Sequence, residues 1–294
     1  MLKRVYLEIT NSCNLDCPFC TNQKGNTFLA LEEIEDYIQQ IKIHCDYIYL
    51  HILGEPLLHP NFEEILNLLD KYSMKLQLVT NGTLLNKYPN ILEHSCIRKL
   101  SISLHSINNI SINDIYFETI NKLIDNHSNT NIELRFYDKD NLSRQLYDYL
   151  NYLKQRYKFE TTSKNNSYKI YNNTYIYFEN FFKWPDINDK ELSNIGTCHG
   201  AIDMIAINSN SDVTICCLDP KAYNKIGNLK VNTLDEILNS DKYQNYIKEF
   251  KNKIISSELC KKCTYRLRFK WYKYSKIIDD LIDNDISSRF LCSI

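Results

Sequence analysis

Residues 13–20 read Cys13-Asn14-Leu15-Asp16-Cys17-Pro18-Phe19-Cys20, three cysteines spaced Cys-x3-Cys-x2-Cys directly after the strand-like run Val5-Tyr-Leu-Glu-Ile9. Three thiolates on one short loop can hold three corners of a cubic iron–sulfur cluster and leave the fourth iron open. A helix does not present all three to one point at this spacing, and a tetrahedral zinc site needs a fourth ligand nearby. An open iron serves a substrate or a cofactor. The competing reading is a loop of buried thiols or a zinc knuckle.

Working outward, strand-like and helix-like segments alternate. Val5–Thr10 reads as a first strand, and Ile34, Tyr37, Ile38 and Ile41 give one apolar helix face. The nearly continuous apolar run Tyr47–Leu53 fits a buried parallel strand and ends in Gly54-Glu55-Pro56. Asn61 is placed to cap a helix whose apolar face is Phe62, Ile65, Leu66 and Leu69. Leu76–Val79 is a third strand, closed by Thr80-Asn81-Gly82 and followed by a helix. Lys99–His105 and Asn131–Phe136 are further strands, with helices around Ile112–Ile124 and Leu142–Leu153. Tyr175–Phe178 makes a sixth, after a polar loop at Ser163–Asn173. Such alternation implies right-handed parallel crossovers, hence a parallel sheet or barrel whose active site lies on loops at the C-terminal strand ends. The cysteine loop falls at one of those ends. No G-x-G-x-x-G follows the first strand, which argues against a dinucleotide fold.

From about position 198 the pattern changes. Ala201–Ile207 and Val213–Cys217 flank Asn208–Ser211 as a hairpin, a helix covers about Leu234–Phe250, and Cys260-Lys-Lys-Cys263 follows. The polar run Asp279–Asp285 reads as a solvated face.

The bulk numbers narrow the function. With 35 basic and 36 acidic residues the net charge is −1, so no general nucleic-acid or membrane-surface binder is indicated. Eleven cysteines in 294 residues are too few for a small secreted disulfide scaffold, and several cluster at ligand spacing. An acidic residue at position eight interrupts the N-terminus before any long apolar run, and no stretch approaches the ~20 apolar residues of a membrane span. The expected location is a reducing cytoplasm.

Cys13–Cys20, with Phe19 before the third cysteine, resembles the signature of the radical S-adenosylmethionine (SAM) superfamily. That resemblance implies a partial (β/α)6 barrel, a 4Fe-4S cluster whose open iron chelates the amino and carboxylate groups of SAM, and reductive cleavage of SAM to a deoxyadenosyl radical. Gly54-Glu55-Pro56 is similar to the family's Gly-Gly-Glu-Pro strand end, with Leu53 in place of the first glycine. It implies that Gly54 and Glu55 meet the SAM amino group. By the same resemblance Phe19, Pro56, Ser103 and Arg135 join the cofactor site, the last two toward the SAM carboxylate or ribose. Arg135 has the planar fork for a carboxylate, although pairing with a nearby acid is its ordinary alternative. His51 and His105 sit on strands inside the expected barrel, as substrate-lining groups or as satisfied core histidines.

A second set, Cys198, Cys216 or Cys217, Cys260 and Cys263, offers four thiolates and no open site. With Ile226-Gly227-Asn228-Leu229 between, it resembles the twitch domain, the one-cluster truncated relative of the SPASM domain. This implies an auxiliary 4Fe-4S cluster ligated through Cys216 rather than Cys217. A structural zinc ion is the lesser alternative that four cysteines leave open. Cys45, Cys96 and Cys292 read as small hydrophobes. The expected fold is therefore α/β, a radical SAM partial barrel over 1–190 with a small α+β twitch domain over 191–294. The pattern is nearest to twitch-type radical SAM alcohol dehydrogenases of aminoglycoside biosynthesis. It implies hydrogen abstraction and redox modification of a small-molecule alcohol, fed by a cytoplasmic donor such as flavodoxin or ferredoxin. Lys183, in Asn180-Phe-Phe-Lys-Trp184, is the local basic candidate for the hydroxyl proton. The alternatives are a peptide maturase and a non-catalytic zinc or iron–sulfur protein.

Overall fold

The computed structural model describes residues 2–21, 25–108, 110–126, 129–137, 140–161, 166–179 and 183–269; Cys292 and the run Asp279–Asp285 lie outside them. In chain order the strands are β1 (Arg4–Leu7), β2 (Tyr47–Tyr49), β3 (Lys75–Thr80), β4 (Ile97–Ser103), β5 (Asn131–Tyr137), β6 (Ser167–Tyr171), β7 (Thr174–Glu179), β8 (Met204–Ile207), β9 (Asp212–Thr214) and β10 (Lys225–Asn228). The helices are α1 (Leu31–His44), α2 (Phe62–Lys71), α3 (Asp114–Asn126), α4 (Arg144–Tyr157), α5 (Leu234–Asn239), α6 (Asp241–Lys251) and α7 (Glu258–Lys262). All ten strands join one sheet in the order β10-β9-β8-β1-β2-β3-β4-β5-β7-β6. From β1 through β5 to β7 every neighbour is parallel, the six parallel strands that the alternation predicts. β8 adds a seventh: Met204–Ile207 pairs in parallel with Arg4–Leu7. The C-terminal segment thus continues the sheet. β6, β9 and β10 pair antiparallel.

Five local expectations need correction. β2 spans three residues, because beyond Tyr49 the chain leaves the ladder for the Gly54 turn. After Gly82 there is no α-helix; two 3-10 turns, Leu85–Lys87 and Ile91–Glu93, carry the chain to β4. Asn61 occupies the position before α2 but makes no side-chain cap bond. Part of the supposed polar loop is β6, hairpinned to β7 with alternating buried residues Tyr168 and Ile170. The helix read over Leu234–Phe250 is two helices, since Ser240 ends α5 and its side chain accepts from Tyr243 N to cap α6.

The strands alternate in a way that explains the site. Val5, Leu7, Ile48, Leu76, Leu78, Leu100, Ile132 and Leu134 share one core with Ile34, Ile38 and Ile41 of α1. On α2 the face Phe62, Ile65, Leu66 and Leu69 is fully buried there, each side chain contributing about 1.5–3 kcal/mol. The alternate residues face the other way and are mostly polar, unlike the double-sided apolar strands usual in parallel sheets. They satisfy one another. Lys99 Nζ donates to Glu133 Oε1 at 2.9 Å, Ser101 Oγ to Glu133 Oε2 at 3.2 Å, and Tyr49 OH to Gln77 Oε1 at 2.6 Å.

Candidate active site

The cysteine loop is seated by the ends of β2, β3 and β4. Gly54 has φ +74°, and a Cβ there would lie 2.3 Å from Thr10 O and 3.0 Å from Ser12 O. Only glycine lets this turn press against the residues leading into Cys13, and Glu55 N donates to Ser12 O at 2.8 Å. Within the loop, Cys20 N donates to Cys17 O (3.0 Å), and Leu15 N reaches Cys13 Sγ at 3.5 Å. Cys17 Sγ lies 3.6 Å from Ser106 O. Phe19 packs edge-on against His105 and Tyr137, bracing the loop on β4 and β5. The three half-buried cysteines line a cavity of about 180 Å3 together with His51, Glu55 and Trp184.

Glu55 is completely buried and ties two loops together. Its Oε1 accepts from Thr80 Oγ1 (2.6 Å) and Leu57 N (3.1 Å), and its Oε2 from Asn81 N (2.7 Å). Burial pushes its pKa up to about 7 against those three donors. Pro56 opens the short 3-10 turn for which Glu55 is the cap. Ser103 and His105 line the cavity, His105 from the 3-10 turn Leu104–Ile107 after β4 and not from the strand itself. Arg135 does not: its Nη2 and Nε bond Glu179 Oε2 at 2.6 and 3.2 Å, the ordinary alternative for a strand arginine. Lys183 sits on an open groove of about 640 Å3 that shares Phe19, Cys20, Thr21 and Trp184 with the cavity, and it is ion-paired with Asp189 at 2.7 Å.

The two histidines part ways. His105 stacks on Tyr137 (ring centroids 3.5 Å) and its Nδ1 meets Arg135 O at 3.2 Å. His51 stands edge-on to Tyr6 and Tyr49, its buried Nδ1 without a partner among the described residues, and burial drives its pKa down to about 3. It is a neutral imidazole facing the cavity.

Two positions escape sequence reasoning. Asn14, between the first two cysteines, accepts from Asn81 Nδ2 (3.0 Å) and donates to Thr83 Oγ1 (2.8 Å), so the Thr80-Asn81-Gly82 turn holds the cysteine loop. Glu8 is a buried carboxylate bonded to Leu53 N (2.8 Å) and Ser209 N (2.9 Å), linking the Gly54 turn to the β8–β9 hairpin. An acid inside the apolar run of β1 was the available signal.

Cys198, Cys216, Cys260 and Cys263 meet around a second cavity. Cys217 does not line that cavity; it is buried in a cluster with Tyr6 and Tyr49, its thiol hydrogen-bonded to that of Cys216. Each of the four sulfurs has an N–H aimed at it: Gly200 N at Cys198, Leu218 N at Cys216 (3.4 Å), Asn224 Nδ2 at Cys260 (3.7 Å), and the amides of Tyr265 and Arg266 at Cys263. The core cysteine Cys45 also receives such an amide, from Tyr47, so the grouping of four is what matters. Burial pushes Cys260 up to about 12 and Cys263 up to about 11. Four half-buried cysteines whose thiols disfavour ionisation alone, with donors poised on sulfur, suit a cationic group that replaces their protons. Among the described residues, no three His, Cys, Asp or Glu side chains are arranged to hold a single metal ion. Cysteines spread around a cavity fit a larger cluster better than a zinc ion.

Residues 7–135 match the radical SAM superfamily, and residues 198–264 match the SPASM iron–sulfur cluster-binding domain. The chain carries a radical SAM domain followed by a SPASM-type iron–sulfur domain. The first domain implies a 4Fe-4S cluster with SAM, and the second implies an auxiliary iron–sulfur cluster. The chain is 32% identical over 117 residues to GTP 3',8-cyclase of Aquifex aeolicus, covering 36% of each chain. It is 33% identical over 93 residues to the tungsten-containing aldehyde ferredoxin oxidoreductase cofactor-modifying protein of Pyrococcus furiosus, covering 29% of this chain and 25% of that one. The chain thus spans about a third or less of the curated relatives it matches. Among solved structures, BtrN in complex with AdoMet and 2-DOIA is similar over 90% of this chain and 93% of its own, at TM-score 0.55 and 15% identity. The anSMEcpe complex with AdoMet and a Cp18Cys peptide is similar over 90% and 86%, at TM-score 0.57 and 16% identity. These two likenesses establish the fold, a partial barrel with a C-terminal domain.

Proposed function

We propose that this enzyme abstracts a hydrogen atom from a neutral, hydrogen-bonding small molecule, an alcohol, in a redox modification. The observation that carries this reading is His51: an uncharged imidazole, just past the end of β2 beside the cysteine loop, with a nitrogen that has no partner among the described residues. Such a group accepts or donates one hydrogen bond to a hydroxyl and pairs poorly with a charged substrate. A 4Fe-4S cluster bound there would supply the electron that activates SAM for hydrogen abstraction. Cys13, Cys17 and Cys20 would hold that cluster, Glu55 would accept from the SAM amino group, and Gly54, Pro56, Phe19 and Ser103 would shape the cofactor site. Cys198, Cys216, Cys260 and Cys263 would hold the auxiliary cluster, which would supply a one-electron acceptor. We divide the chain at residue 190, with a cytoplasmic flavodoxin or ferredoxin as donor.

The wide groove beside Trp184 favours a second reading, a peptide substrate. One solved neighbour holds 2-DOIA and another a peptide, so both classes fit within this fold. The test is an anaerobically reconstituted protein offered deuterated amino-cyclitols or short deuterated peptides. Deuterium entering 5'-deoxyadenosine from the cyclitols, and lost with Cys13, Cys17 and Cys20 all changed to Ala, supports the alcohol reading. Transfer from peptides alone replaces it.

A further inference from the structure

We propose that Arg266 sets the reduction potential of the auxiliary cluster, holding it high as a buried cation at the cluster wall. The inference rests on the reading above that Cys198, Cys216, Cys260 and Cys263 hold that cluster.

Arg266 is the largest fully buried side chain of the protein's described part, at 1% exposure. Its Nε donates to Cys260 O (2.7 Å), its Nη1 to Ile195 O (3.0 Å), and its Nη2 to Ser193 O and to Lys261 O (3.3 Å). These carbonyls belong to the 193–195 segment and to the turn that presents Cys260. They fix the guanidinium in place, and the Glu191 carboxylate also acts on it electrostatically. The same side chain lines the cavity that the four cysteines share, and the Arg266 amide points at Cys263 Sγ. Residue 266 therefore reaches the site twice, through its main chain and through its charge.

The electrostatic direction follows. Four thiolates around a cluster leave a net negative charge that grows by one on reduction. A fixed cation in a poorly solvated wall favours the more negative, reduced form. Asp219 stands on the same cavity with its carboxylate bonded to the amides of Tyr223 (2.9 Å) and Asn224 (2.6 Å), and any charge it carries acts in the opposite sense. Arg266 is thus the group that keeps the auxiliary cluster able to accept an electron. It is a positioning and tuning residue, since it touches neither substrate nor SAM.

The test uses the full chain with Cys13, Cys17 and Cys20 changed to Ala, so that iron remains only at the second site, and follows its midpoint by spectroelectrochemical titration. Arg266→Gln keeps donors for the carbonyls and removes the charge; Arg266→Lys keeps the charge. At the potential where the parent is half reduced, the Gln variant is expected to show a reduced-to-oxidised ratio at least tenfold lower, ~59 mV for one electron. The Lys variant is expected to stay within about threefold of the parent. A Gln variant that holds its iron at an unchanged midpoint overturns the inference. If Gln loses the cluster and Lys keeps it, the charge is again what the site requires. If both lose it, Arg266 is only a brace for the 193–195 segment. A parent without iron overturns the four-cysteine reading itself, and this inference with it.

Discussion

Glu55→Gln tests the coupling between the buried carboxylate and SAM. At pH 7 the Glu55 carboxyl, with its pKa near 7, is about half protonated in the SAM-free protein. An amino group placed against it favours the ionised form, so SAM binding should release up to about half a proton at pH 7. The sign is fixed by the direction of the shift. Below pH 7 SAM must displace a bound proton and its affinity falls by as much as about tenfold per unit, whereas above pH 8 the dependence is flat. Glutamine cannot release this proton. It also loses one acceptor of a charge-assisted bond, costing about 1.5–3 kcal/mol, or roughly one to two decades in affinity. Because its amide nitrogen then meets either Asn81 N–H or the donors on Oε1, a buried donor is left facing a donor.

Calorimetry of SAM binding in two buffers of different ionisation heat, at pH 6, 7 and 8, reads the proton release directly. The same shift has a consequence for stability. The folded pKa lies about 2.5 units above the ordinary 4.5, so between pH 4.5 and 7 the folded state holds the extra proton. A stabilisation of about 3 kcal/mol, present below pH 4.5, is lost as pH rises through 7. Glu55→Gln should lack that portion of the pH dependence. Equal enthalpies in both buffers, with a SAM affinity flat from pH 6 to 8, would refute the coupling and leave Glu55 as a loop tie alone.

Two further outcomes follow from the geometry. Cys216→Ala should lose the auxiliary iron while Cys217→Ala keeps it, by iron and sulfide analysis of each purified variant, because only Cys216 lines the second cavity. Glu8→Gln should lower stability by about 1–3 kcal/mol, since one of the amides of Leu53 and Ser209 then faces an NH2 group. Faster hydrogen exchange at those two amides should accompany the loss.

The parallel sheet was legible because its helix-facing residues obey simple periods: Ile34, Ile38 and Ile41 on α1, and Leu76 and Leu78 on β3, all enter one core. That the cysteines fall into two groups was legible because their spacing is local. What failed was decided by tertiary partners. Arg135 reads as a carboxylate ligand until Glu179, 44 residues away, is seen to claim it. His51 and His105 look alike in sequence and differ only in what surrounds their ring nitrogens. β6 hid in a polar run because an edge strand buries only alternate residues.

Glu8 shows how the two cysteine sites become one device. Strand β1 pairs with β2 on one side and with β8 on the other, so the Gly54 turn and the β8–β9 hairpin flank its end. A carboxylate there can bond an amide from each, and Glu8 does, which fixes the hairpin that precedes Cys216 relative to the turn beside Cys13. Tyr6 and Cys217 lie beneath that junction in a cluster that reaches Cys20 and Trp184 on one side and Cys216 on the other. Burial favours the neutral acid at Glu8, yet both bonds need acceptors, so the two donors are what make an acid tolerable in the strand. The junction is therefore expected to yield before the sheet does: Glu8→Gln should loosen the hairpin and the turn together while the α1 and α2 core keeps its protection.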